Sequence, residues 1–254
     1  MAAAYDTYDY PSYWEGRGYE HSSEEIALKR LLSEIDIINR LLDVGAGYGR
    51  LSNEYIYRSK KVVITDPSSK LLKLARENIK SKNVTFVQSK MDNLPNKFKA
   101  KSFDALVLIR VLHHIDDINK CFKIINNLLK INGYFILEFP NKSHFKAVIS
   151  ELTKGNTTFP LEFCPKDLRS KKSKSNKCLP FNNFHYDFIE DLLYENGFSV
   201  IDKLSVSNFR HSFVKNALPT EILIGIEKYL QKPFSYFNFG PSIFLLSKKF
   251  EHIK

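Results

Sequence analysis

The sequence predicts an α/β fold in which a mostly parallel sheet is wrapped by helices. Three observations carry this. Short β-rich runs alternate with helical periodicities through the middle of the chain, the first run ends in closely spaced glycines, and 254 residues suffice for one large core. With 43% hydrophobic and 26% charged residues, collagen-like, low-complexity and mostly disordered classes are excluded.

The elements follow in order. Arg40 to Val44 is the first strand, and a glycine turn leads into a helix from about Arg50 to Arg58. A strand at Lys61 to Thr65 and a helix from about Ser68 to Lys80 come next, then strands at Asn83 to Gln88, Phe103 to Ile109 and Gly133 to Phe139, each bounded by polar turns. Between the last two, Ile118, Cys121, Phe122, Ile125, Leu128 and Leu129 repeat at helical spacing, with Asp116 and Asp117 ahead and Asn132-Gly133 as the stop. Asn141 to Asn183 breaks the rhythm and reads as an insertion. A helix over Tyr186 to Asn196, capped by Gly197, and a strand from Phe198 to about Val206 resume the pattern. Residues 208–238 read as a second insertion holding a helix over Thr220 to Gln231, and Ser242 to Lys248 is the last strand. The expected divisions are an N-terminal aromatic cap and helix (1–35), a core (36–140), the insertion (141–184) and the remainder of the sheet (185–254).

Cys121, Cys164 and Cys178 form no C-x-x-C pair, which predicts neither a disulfide scaffold nor a metal site and favours a reducing, cytoplasmic setting. No segment approaches the ~18 apolar residues of a membrane span. The net charge of +10 favours polyanions, and half of it lies in Lys166 to Lys177, six basic residues against one acid. That run lacks interleaved aromatics and reads as a solvated loop before a nucleic-acid contact.

Chemistry concentrates at strand ends. Asp43-Val44-Gly45-Ala46-Gly47-Tyr48-Gly49 has the spacing G-x-G-x-G, so neither the dinucleotide fingerprint nor a P-loop is present. Glycine lets a ligand approach the backbone there; the alternative is a tight turn without one. Asp66 ends the second strand, where a carboxylate accepts two ribose hydroxyl protons or, alternatively, caps the helix behind Pro67-Ser68.

From Leu41 to Pro140 the chain resembles the class I S-adenosylmethionine-dependent methyltransferases, in the branch of quinone-biosynthesis and small-molecule enzymes. The resemblance rests on LLDVGAGYGRL, VVITDPSSKLLKLAREN, MDNLPNKFKAKSFDALVLIRVLHHIDD and LLKINGYFILEFP. It implies a Rossmann-like, doubly wound, mostly parallel seven-stranded sheet with C-terminal insertions. S-adenosylmethionine is the implied cofactor, with Gly45, Ala46 and Gly47 along its methionine and ribose, Asp43 supporting the amino group and Asp66 on the ribose. The adenine place falls at Lys90 and Met91; a lysine cannot accept the adenine amino proton, so Asp92 or backbone groups take that role.

His113 and His114 follow the fourth strand near the expected methyl, as a general base or as loop-capping scaffold. Metal binding by adjacent histidines is not expected. Tyr5 to Tyr19 includes Arg17, suited to a methionine carboxylate or else simply solvated beside an aromatic latch. Thirteen of twenty phenylalanines lie beyond residue 150 and suit an apolar acceptor pocket as well as ordinary packing. The expected function is methyl transfer to a small or lipid-like acceptor. The alternatives are an RNA or ribosomal-protein methyltransferase and a non-catalytic metabolite- or partner-binding protein on the same fold.

Overall fold

The structure is a computed structural model that describes residues 6, 9–175 and 179–250. Tyr5, Tyr8, Lys177 and Cys178 lie outside the described residues. In chain order the strands are β1 (Ile38–Val44), β2 (Ser59–Asp66), β3 (Val84–Gln88), β4 (Phe103–Leu108), β5 (Leu129–Pro140), β6 (Lys166–Asp167), β7 (Asn182–Asn183), β8 (Phe198–Val206) and β9 (Ser242–Lys249). The helices are α1 (Gly18–Ser33), α2 (Asn53–Ile56), α3 (Ser69–Asn78), α4 (Leu94–Lys97), α5 (Ile118–Leu128), α6 (Phe145–Leu152), α7 (Lys171–Ser175), α8 (Tyr186–Glu195), α9 (Ser212–Ala217) and α10 (Thr220–Ser235).

Seven strands form one sheet in the order β3-β2-β1-β4-β5-β9-β8, while β6 and β7 make a separate ribbon. Only β9 runs against its neighbours in the large sheet. Sequence order reverses between β1 and β4, the switch point at which open α/β sheets present a crevice beyond the strand ends. Strand alternation divides the core. Leu42, Leu106, Phe135 and Leu245 face α5 and α8 on one side, and Leu41, Ala105, Ile136 and Phe244 face α1 and α3 on the other.

Local chemistry explains several helix starts. Ser68 Oγ accepts from Leu71 N at 3.1 Å and Asp117 Oδ1 from Lys120 N at 2.8 Å. His185, singled out at the opening of the eighth helix, caps it by accepting from Asp187 N at 3.3 Å.

Several elements differ from expectation. The helix expected over Arg50 to Arg58 is α-helical only across α2, because Gly49 sits at φ +77° and its amide bonds to Ala46 O at 3.0 Å, so tight turns occupy the approach. The helix expected to stop at Asn132-Gly133 ends at Leu128. Leu129 already pairs with Phe103, and the register shifts before Tyr134 meets Ala105. Asn132 stands at φ +61°, and a Cβ on Gly133 would come within 2.9 Å of Lys130 O, so this pair builds a β-bulge. Finally, the stretch after Phe139 contains α6 and the β6–β7 ribbon, and α10 continues through Pro233 to Ser235.

Candidate active site

The first unit of the site is the turn after β1. Gly45, Gly47 and Gly49 take φ of +75°, +60° and +77°, a region closed to most side chains. The amides of Gly45 and Ala46 donate to Thr65 O at 2.8 and 3.0 Å, which pins the turn to the end of β2. Asp66 completes the link: Oδ2 accepts from Gly47 N at 2.9 Å and Oδ1 from Ser68 N at 2.7 Å. Turn and acid therefore form one hydrogen-bonded body.

Burial pushes the Asp66 carboxyl up to about 6, against the two amides that favour its charge. Asp43, the neighbouring strand-end acid, is also buried and accepts from Tyr55 Oη. Burial raises Asp43 to about 7; the Tyr55 bond opposes this and the charge of Asp66 adds to it. Among the described residues no Lys, Arg or His forms an ion pair with either acid. Such a pair of desolvated carboxylates suits a ligand that brings a cationic amino group and hydroxyl donors, and S-adenosylmethionine carries both.

A second unit lies across the turn. Glu24 of α1 is fully buried and ion-paired to both Arg50, which follows Gly49, and Arg110, which follows β4. Burial alone would raise Glu24, but the two guanidinium groups prevail and hold its carboxyl below the usual range. The Trp14 ring covers Arg50 at 3.4 Å and lies 5.4 Å from Arg110. The Arg110 backbone, at φ +62°, donates to Glu138 Oε2 at 2.8 Å. Tyr10, Asp43, Gly45, Ala46, Arg50 and Arg110 line one cleft.

Sequence reasoning missed Glu24, Arg50, Arg110 and Glu138 as site residues. Arg110 carried a signal, since a charge directly after an apolar strand stands at the crevice. Glu24 carried none.

The remaining expected residues lie outside that cleft. Arg17 precedes α1, with its guanidinium 4.2 Å from the centre of the Tyr13 ring. Met91 packs against the core, whereas the largely exposed Asp92 pairs with Lys120 Nζ at 3.0 Å. The His113 and His114 rings are 3.9 Å apart, and Phe181 lies 4.8 Å from His113. Burial, with smaller contributions from His114 and Arg110, lowers His113 to about 2 and keeps it neutral. Its Nδ1 is buried without a hydrogen-bond partner among the described residues, while His114 Nδ1 lies 2.7 Å from Pro180 O.

Known proteins resemble this chain in sequence and in fold. Residues 42–137 match the methyltransferase domain family. The ubiquinone biosynthesis O-methyltransferase of Pelagibacter ubique is 28% identical over 189 residues, covering 70% of this chain and 75% of that protein. The uncharacterized methyltransferase YcgJ of Bacillus subtilis is 27% identical over 117 residues, and the match spans 45% of this chain and 46% of YcgJ. Among solved structures, an S-adenosylmethionine-dependent methyltransferase from Mesorhizobium loti superimposes with a TM-score of 0.60 at 17% identity, covering 91% of this chain and all of that one. Residues 42–137 thus carry a methyltransferase domain, on the fold of S-adenosylmethionine-dependent methyltransferases, and that family and fold imply S-adenosylmethionine as the cofactor.

Proposed function

We propose that this chain transfers the methyl group to a small or lipid-like acceptor by in-line displacement. The observation that carries the reading is the pairing of buried Asp43 and Asp66 around the glycine turn. In this reading Asp66 receives the ribose hydroxyls, Asp43 supports the amino group, and Gly45, Ala46 and Gly47 let the ligand reach the backbone. Met91 and the backbone beside it border the adenine, with Asp92 at the rim, and Arg17 serves the carboxylate. The resemblance to a quinone-biosynthesis enzyme supports an apolar acceptor, as does Phe181 beside the histidines.

When bound, S-adenosylmethionine supplies a methyl carbon already activated by its sulfonium. The residues here have to bind, align and exclude water. His113 remains neutral, and its buried Nδ1 is less costly as a bare acceptor than as an unpaired N–H, which places the proton on Nε2. His114 donates from Nδ1 to Pro180 O, which makes Nε2 the proton-accepting nitrogen of the pair. His113 thus orients an acceptor by donation, and His114 takes the proton of an acceptor hydroxyl or amine.

Calorimetric titration with S-adenosylmethionine tests the cofactor half. Asp66→Ala and Gly45→Val should each weaken binding severely; unchanged affinity in both would overturn the assignment. His114→Gln tests the other half, with turnover falling while cofactor affinity holds.

A further inference from the structure

We propose that residues 141–184 dock the protein on an anionic lipid surface. The inference is independent of the methyl-transfer reading.

Charge is the first observation. This segment holds nine Lys and Arg against three Asp and Glu, so it carries +6 of the chain's net +10. All three acids are already engaged within it. Glu151 pairs with Lys154 and Lys166, Asp167 with Arg169 and Lys174, and Glu162 with Lys142. The segment therefore keeps a net cationic surplus, and two copies of it would repel each other.

Apolar exposure is the second. On α6, Phe145, Ile149 and Leu152 recur at i, i+4 and i+7, a spacing that puts them on one face, yet they are 54%, 46% and 39% exposed and α6 buries none of its residues. Lys146 stands beside that face in α6, and Lys154 follows in the turn after the helix. Leu161, Phe163 and Leu168 add further exposed surface in the same segment. An apolar helical face edged by lysines is the composition of an element that lies in a membrane interface.

The exposure belongs to folded structure. Lys142 Nζ donates to Glu162 O at 2.6 Å and Cys164 O at 2.9 Å, and the Glu151–Lys166 pair ties α6 to the β6–β7 ribbon. Phe181 of the same segment lies against the rings of His113 and His114, which ties the segment to the turn after β4. Aliphatic side chains decide between polyanions. Ile149, Leu152, Leu161, Leu168 and Leu179 outnumber the exposed rings of Phe145, Phe163 and Phe181; they offer no stacking platform to a nucleic acid, whereas each gains by burial among acyl chains.

Cosedimentation of the full chain with vesicles, without cofactor, tests this. Vesicles with about 30% phosphatidylglycerol should bind at least about fivefold more protein than pure phosphatidylcholine, and about 0.5 M salt should remove most of the difference. Ile149→Ser with Leu152→Ser should lower binding about tenfold at an unchanged melting temperature, because both side chains are exposed. Lys171→Glu with Lys172→Glu should lower binding to anionic vesicles alone. No sedimentation above the lipid-free control, wild-type binding by the Ile149/Leu152 variant, or binding of labelled RNA with none to vesicles would each overturn the proposal.

Discussion

The amide of Gly47 donates to Asp66 Oδ2 at 2.9 Å, so the bend after β1 is held by the same side chain proposed to hold the ribose. In the proposed reading, fold and binding are coupled through one carboxylate. Asp66→Ala leaves two buried amides, those of Gly47 and Ser68, without their acceptor and should cost about 2–4 kcal/mol of stability along with cofactor affinity. Asp66→Asn keeps one acceptor oxygen and should fall between the two. Chemical denaturation and calorimetric titration on the same preparations read both losses. A variant that loses affinity at wild-type stability would break the coupling.

The same acids set a pH dependence. With Asp43 raised to about 7 and Asp66 to about 6, the folded, ligand-free protein binds protons that the unfolded chain has released, so its stability should decline as pH rises from about 4 through about 7. Cofactor binding should run in the opposite direction, because hydroxyl and ammonium donors favour the ionised acids. Affinity should increase about tenfold between about pH 6 and pH 8, with protons released on binding. Titrations in two buffers of different ionisation heat measure that release directly. Asp43→Asn should abolish the upper part of the profile.

Glu24 offers a sharper stability test, since a single buried carboxylate neutralises Arg50 and Arg110 together. Glu24→Gln should destabilise by about 3–5 kcal/mol, because two guanidinium groups lose their counter-ion. In an Arg50→Met background the same change should cost less, and a double-mutant cycle by urea denaturation gives the difference. Equal costs in both backgrounds would show that the three residues do not act as one cluster.

Legibility divides along the range of the interaction involved. Short β-rich runs bounded by polar turns and the glycine turn are local patterns, so the strands and the places of Asp43 and Asp66 could be read from sequence, together with the resemblance that named the cofactor. The Glu24 cluster joins residues separated by 26 and 86 positions, and no local pattern announces such a partner. Asp92 illustrates the converse: it stands where the family resemblance expects an adenine contact, yet α5 brings Lys120 within 3.0 Å of its carboxylate. In α6 the periodicity is present but short, and the neighbouring glycine, prolines and lysines disguised it as loop.

Val111 ties the glycine turn to the histidine turn. A Cβ on Gly45 would overlap Val111 Cγ2, while His114 N donates to Val111 O at 2.9 Å. Gly45→Ala therefore imposes two separable costs: about 1–2 kcal/mol for a side chain at positive φ, and a steric displacement of Val111 that propagates toward His113 and His114. Shortening the neighbour should relieve only the second. The Gly45→Ala, Val111→Ala double variant is thus expected to be more stable than the sum of its single variants, yet still below wild type by the backbone term. Thermal unfolding of the four proteins in the cycle checks this, and strict additivity would mean that the two turns do not press on one another.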